Sequence, residues 1–263
     1  MKKYPIYQVD AFTSKVFGGN PAAVMLLETW MPDERMQRIA TENNLSETAF
    51  VVAQGERWGL RWFTPTAEVD LCGHATLAAA HVLYKLSKAE GEIQFETQSG
   101  ILSVTRNDNN LLTMDFPARP PHASEVTVDE ARAALGVRPL EVLTSRDLMV
   151  VFESEYDVRH LHPDFALIAK LDNLGVIATA PGDKCDFVSR FFCPRVGILE
   201  DPVTGSAHCT LTPFWAQRLG KNNLHALQLS ERLGELFCTN RGDRVLLSGN
   251  AIIYMYGAVL LND

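Results

Sequence analysis

The sequence predicts an α+β protein written twice, two copies of one domain in which strands enclose an apolar helix. Three observations carry that prediction. An ordered series of motifs recurs about half a chain later, alternating strand patterns fill both halves, and each half has one helix pattern that is apolar on most sides.

The repeat comes first, because self-similarity decides how everything else is read. Arg61-Trp62-Phe63-Thr64-Pro65 leads through Glu68 to Asp70-Leu71-Cys72-Gly73-His74-Ala75. Arg190-Phe191-Phe192-Cys193-Pro194 leads through Glu200 to Asp201-Pro202-Val203-Thr204-Gly205-Ser206-Ala207-His208. Phe63 and Phe192, like Pro65 and Pro194, are 129 positions apart, and Gly73 and Gly205 are 132 apart. Upstream, Pro32-Asp33-Glu34 opens a helical pattern ending near Asn44, and Pro163-Asp164-Phe165 opens another ending near Asn173. Strand-like runs follow each, Ala49–Val52 and Val176–Thr179. A single short match is chance; this ordered series is duplication.

The strands come next. Tyr7–Phe12, Glu92–Thr97, Ile101–Arg106 and Leu111–Phe116 alternate as half-buried strands do. In the second half the same holds for Leu148–Phe152, Ala226–Leu229, Arg244–Leu247 and Ala251–Leu260. The helices are expected at about 73–86 and 205–219. Ala75, Leu77, Ala78, Ala79, Val82 and Leu83 leave the first no polar face, so it is expected inside a sheet and not on a surface. Pro213 within the second predicts a kink or a late start. Pro117-Ala118-Arg119-Pro120-Pro121 reads as the linker, giving domains 1–118 and 119–263, with the last strand open to sharing.

Composition narrows the function. The net charge is -8 and no basic stripe is interleaved with aromatics, which argues against nucleic acid. No apolar run approaches the roughly 20 residues of a membrane span, and the basic start Met1-Lys2-Lys3 lacks the apolar core of a secretory signal. Five cysteines without zinc-type spacing read as reduced thiols of a cytoplasmic protein. No metal and no cofactor are expected.

The two helix starts are the candidate site. The first amides of a helix lack internal partners and carry the positive end of its dipole, and glycine lets a ligand approach the backbone. Gly73-His74 and Gly205-Ser206, facing each other across a domain cleft, would hold a carboxylate or an oxyanion. Each could equally be an ordinary cap; the duplication with added titratable side chains favours a site. Asn43-Asn44-Leu45-Ser46-Glu47-Thr48-Ala49-Phe50 adds a carboxylate entering an apolar strand, where the position 129 further on is Val176. An acid present in one copy only is an addition to the fold, and a carboxylate partly out of water is a useful proton shuttle.

With these residues in view, the chain resembles the phenazine-biosynthesis PhzF-like family, which shares its fold with diaminopimelate epimerase. The resemblance runs through Gln8–Phe12, Phe17–Ala22, Asn44–Phe50, Asp70–Thr76 and Asp201–His208. It implies a diaminopimelate epimerase-like fold of two pseudo-symmetric domains, each a barrel-like sheet around a central helix. It also implies a cofactor-independent isomerase acting on a small carboxylate-bearing substrate, and a homodimer. By resemblance Glu47 is the acid/base and His74, Asp201 and Ser206 line the same pocket, while the backbone amides near Gly73 and Gly205 are expected to hold the substrate's charge. The epimerases use two cysteines, one before each helix. Here Cys72 has Thr204 as its counterpart, and a hydroxyl is far too weak an acid to replace a thiol. An amino-acid racemase of another type and a non-enzymatic binding protein remain as rival readings.

Overall fold

The computed structural model describes residues 1–262, and they cluster into two compact units: Met1–Asp115 with the chain from Ser248 onward, and Phe116–Leu247. The first unit opens with β1 (Lys2–Ala11), β2 (Asn20–Leu27), α1 (Asp33–Asn43), β3 (Glu47–Gln54) and β4 (Arg57–Phe63). It continues with β5 (Glu68–Val69), α2 (Gly73–Lys85), β6 (Ile93–Thr97), β7 (Gly100–Arg106) and β8 (Leu112–Pro117). Then come β9 (His122–Ala123), α3 (Val128–Leu135), β10 (Glu141–Thr144), β11 (Leu148–Val151), α4 (Glu155–Arg159) and α5 (Phe165–Ile168). The second unit goes on through β12 (Val176–Pro181), β13 (Phe187–Phe192), α6 (Gly205–Leu219), β14 (Asn223–Gln228), β15 (Gly234–Asn240) and β16 (Arg244–Gly249). The last strand, β17 (Ala251–Leu261), pairs antiparallel with β1 almost end to end. That ladder carries the C-terminal residues out of the expected second domain and into the first unit.

Duplication shows in the ladder pattern of each unit. In the first, β1–β2 is antiparallel, β2–β3 parallel, β3–β4 antiparallel, β4–β6 parallel and β6–β7 antiparallel. In the second, β10–β11, β11–β12, β12–β13, β13–β14 and β14–β15 follow the same order of senses. Parallel neighbours need a crossover, and α2 and α6 supply the matching one in each copy. The matched Arg residues do matching work. Arg61 grips both oxygens of Glu68 at 2.6 and 2.7 Å and lies over the Phe63 ring. Arg190 grips Glu200 at 2.8 Å twice and lies over Phe192.

Both central helices are enclosed, as their lack of a polar face requires. Ten residues of α2 are buried, including Leu77, Val82 and Leu83, and the helix packs on β1, β2, β3 and β17. Each such aliphatic side chain contributes roughly 1.5–3 kcal/mol on leaving water. A further apolar cluster in the first unit gathers Met25, Met36, Ile39, Phe50 and Phe63 under α1. In the second, Phe152, Val158, Ile168, Val188 and Phe192 lie among the residues packed under α3–α5.

Two sequence expectations need correction. Of the kink or late start expected at Pro213, the late start does not occur: α6 is continuous from Gly205 to Leu219. A proline donates no N–H to the carbonyl four residues back, and the Arg119 backbone N–H donates to that Cys209 carbonyl at 2.9 Å instead. The helix expected from Asp164 to about Asn173 is a single turn, Phe165–Ile168, capped by the Asp164 side chain. Beyond it the backbone tightens into three-residue turns at Lys170 and Leu171, and the Asn173 side chain donates to Thr144 Oγ1.

Candidate active site

In the first unit three element starts meet. Strands β2 and β3 are parallel, so their N-terminal ends lie side by side, with Glu47 opposite Ala22. Asn20 opens β2 directly after Gly19, whose φ of +59° and contact with the Ala11 carbonyl exclude a side chain. Glu47 opens β3 after the left-handed turn at Asn44 that ends α1. Cys72 is the N-cap of α2 in extended backbone, with no side-chain cap bond, and His74 sits in the first turn.

His74 is the hub of this group. Its Nε2 lies 2.8 Å from Glu47 Oε2, its Nδ1 lies 3.2 Å from Asn20 Nδ2, and Cys72 Sγ lies 3.6 Å from Nδ1. Asn20 is itself held, since the Ser46 hydroxyl donates to its Oδ1 at 3.1 Å. The Glu47 and His74 side chains are only 13% and 7% exposed, so the pair sits largely out of water. Glu47 Oε2 is closed to solvent and, despite its short distance to the ring, has no well-aligned hydrogen-bond donor. Burial alone would push His74 down, but Cys72 and Glu47 beside it reverse this and raise its proton affinity well above that of an ordinary imidazole. Burial pushes the Cys72 thiol up.

In the second unit the corresponding helix start is clamped. Thr204 caps α6, and its hydroxyl donates to Asp201 Oδ2 in a short hydrogen bond. Buried Gln228 of β14 accepts the Thr204 N–H at 2.8 Å and donates to the Asp201 carbonyl at 2.8 Å and the Thr204 hydroxyl at 3.2 Å. The Asp201 N–H donates to the Phe191 carbonyl at 3.0 Å. These bonds fix the Asp201–Thr204 turn immediately before Gly205, which is buried, and Ser206, which is half-buried. The hydroxyl in the thiol's place is thus spent on orienting a carboxylate.

The six sequence-derived residues accordingly fall into two groups. Glu47, Gly73 and His74 gather within the first unit, and Asp201, Gly205 and Ser206 within the second. Three partners escaped sequence reasoning. Asn20 and Ser46 lay within quoted motifs and Gln228 within an expected strand, and none was singled out as a site residue. Only Asn20 had a local signal, a polar residue after a Gly-Gly step. His208 is fully buried in α6, with Nδ1 2.8 Å from the Thr204 carbonyl. The Phe17 N–H donates to Asp10 Oδ2 at 2.9 Å, at the turn leading to Gly19. As possible metal ligands, Glu47, Cys72 and His74 present O, S and N atoms all within 4.8 Å of one another.

The family model described as phenazine biosynthesis-like protein matches residues 9–257. A Pseudomonas aeruginosa protein named as an uncharacterized isomerase is 55% identical over 258 residues, covering 97% of this chain and 98% of that one. A crystal structure of an Enterococcus faecalis PhzF-family protein aligns with a TM-score of 0.96 at 48% identity, over 99% of this chain and all of that one. A hydroxyproline epimerase from Agrobacterium vitis, at 8% identity and a TM-score of 0.61 over 99% of this chain and 93% of that one, shares the fold alone.

Proposed function

The chain belongs to the PhzF, phenazine biosynthesis-like, family, and on that premise we propose that it is a cofactor-independent isomerase moving a proton on a small carboxylate-bearing substrate. The buried Glu47–His74 pair carries this reading. A carboxylate held beside an imidazole, at the start of a helix and largely out of water, is equipped for proton transfer. Relatives named isomerases support the reaction class.

The step balances without a redox partner. Glu47 takes an activated proton from a substrate carbon and becomes a carboxylic acid. The electron pair left behind spreads into the adjacent unsaturated system and the substrate carboxylate. Glu47 then returns the proton to another carbon of that system, giving a double-bond shift. His74, with Nδ1 facing Asn20, lies 2.8 Å from Glu47 Oε2 and offers its ring proton to developing negative charge. The leading amides of α2 at Gly73, and Gly205, Ser206 and Asp201 of the second unit, are assigned to substrate binding. The active form is proposed to be a homodimer in the cytoplasm; no helix among the described residues is long and apolar enough to cross a membrane. Two-thiol racemisation is not proposed, because Thr204 stands where the second thiol would be.

The test is solvent-deuterium incorporation into a panel of small unsaturated and amino carboxylic acids. Exchange is expected with the native protein and its loss, by at least about a hundredfold, with Glu47→Gln. Undiminished exchange in a folded Glu47→Gln protein refutes the base assignment, and no exchange across a broad panel favours a binding protein.

A further inference from the structure

We propose that the cleft between the last two turns of α2 and the start of β17 binds a small organic carboxylate, its charged head on Lys85 and its apolar body along β17. The site is separate from Glu47 and His74, and it does not rest on the function proposed above.

A cavity of about 360 Å³ opens there, lined by Ser14 and Asn250, by His81 and Lys85 of α2, and by residues 251–253 of β17. All of them belong to the first unit, and the volume suits one small molecule. His81 stands seven residues beyond His74 on α2, about 10 Å further along the axis. Among the described residues no hydrogen bond or ion pair engages the side chains of Ser14, His81, Lys85 or Asn250. Four polar side chains around one cavity are thus uncommitted, and each can donate: a hydroxyl, a ring N–H, an ammonium and an amide. His81 sharpens the point. Its Nε2 is closed to solvent and has no partner, so Nδ1 is the nitrogen left to meet a ligand. Burial, with Lys85 and Arg106 adding to it, pulls the His81 pKa down to about 4, so the ring is neutral at pH 7. A neutral ring with its proton on Nδ1 donates to an anion and leaves Nε2 bare.

The surroundings are short of negative charge. Lys85 has no acidic partner among the described residues, nor has Arg106 of β7, whose guanidinium lies 4.4 Å over the Tyr84 ring. Glu92, the acid near Tyr84, already accepts from Gln94 and Ser103. The last carbonyls of α2, which would repel an anion, are taken as well. The Leu86, Ser87 and Lys88 N–H groups donate to the carbonyls of Val82, Tyr84 and Leu83. An anion here gains a charge-assisted bond from Lys85 and offsets both cations. Half-buried Ala251, Ile252 and Ile253 form an apolar wall that an organic body covers and a bare inorganic ion does not.

The experiment titrates benzoate into the full chain with isotope-labelled histidine rings, read by nuclear magnetic resonance. The His81 signal is identified by its loss in His81→Gln. It should shift saturably with benzoate. Acetate, which lacks the body, and benzamide, which lacks the charge, should each bind at least about tenfold more weakly. These comparisons use the unaltered protein and are independent of variant folding. Lys85→Gln should weaken benzoate at the His81 signal by at least about tenfold and leave any response of His74 unchanged. An unmoved His81 signal, benzamide acting as benzoate does, or a folded Lys85→Gln protein that binds as the native chain does would each overturn the site. An equal response to inorganic phosphate would show an ion site only and overturn the organic ligand. A response at His74 alone would place benzoate at the catalytic group, sinking this site and leaving the function proposed above untouched.

Discussion

Acidification should weaken the second unit through His208, by an amount its surroundings allow to be worked out. The residue lies in α6 at 0% exposure, with Nδ1 facing the Thr204 carbonyl at 2.8 Å. A carbonyl only accepts, so Nδ1 carries the neutral ring's proton and a second proton must go to Nε2. That atom is buried with no partner, and the ring lies 5.9 Å from that of Phe187. Burial pulls the pKa from the ordinary 6.5 down to about 4, against a small opposing effect of the Thr204 carbonyl. Between these values the unfolded chain binds a proton that the native protein does not, so stability is present in full above about pH 6.5 and is lost as pH falls towards 4. A difference of about 2.5 pKa units at about 1.36 kcal/mol each gives about 3 kcal/mol. Guanidinium denaturation of the native chain and of His208→Gln at about pH 7 and about pH 4 isolates this, because His81 and the carboxylates titrate in both. The stability advantage of the native chain over the variant should shrink by about 3 kcal/mol across the range. Parallel losses in the two proteins would refute the reasoning.

Two further predictions concern the frame of the site. Gly19→Ala places a Cβ 2.0 Å from the Ala11 carbonyl oxygen at a φ of +59°, and should cost at least about 2 kcal/mol in thermal or chemical denaturation. The same variant should lower exchange activity, since the turn delivers Asn20 to His74. Arg190→Met removes two 2.8 Å bonds to Glu200 and should cost about 2–3 kcal/mol, and Arg61→Met should cost a similar amount through Glu68. A loss below about 0.5 kcal/mol in either would show that the duplicated pair is not a structural element of the repeat.

The fold was legible to an unusual depth because it is periodic at two scales. Strand alternation and the all-apolar helices follow from which faces leave water, and the motif spacing shows the same solution used twice. What escaped were features settled by distant partners. The Cys209 carbonyl that Pro213 cannot serve takes an N–H from Arg119, 94 positions before Pro213. The membership of β17 depended on its ladder with β1, at the opposite end of the chain. The short α5 depended on turns that compete with a helix on nearly equal terms.

The candidate residues divide along the same line. Sequence alone determined that an acid stands in one copy where the other has Val176, that Cys72 is matched by Thr204, and that each copy begins its buried helix at a glycine. These are statements about residue type at a repeated position, and a chain compared with itself contains them. Only the tertiary structure decided that Glu47 faces His74, that Asn20 and Ser46 hold the ring, and that Gln228 locks the turn carrying Asp201. A hydrogen bond is settled within a few tenths of an ångström by backbone far away in sequence. Residue pattern shows which groups are available, and the packing of β2 beside β3 shows which of them meet.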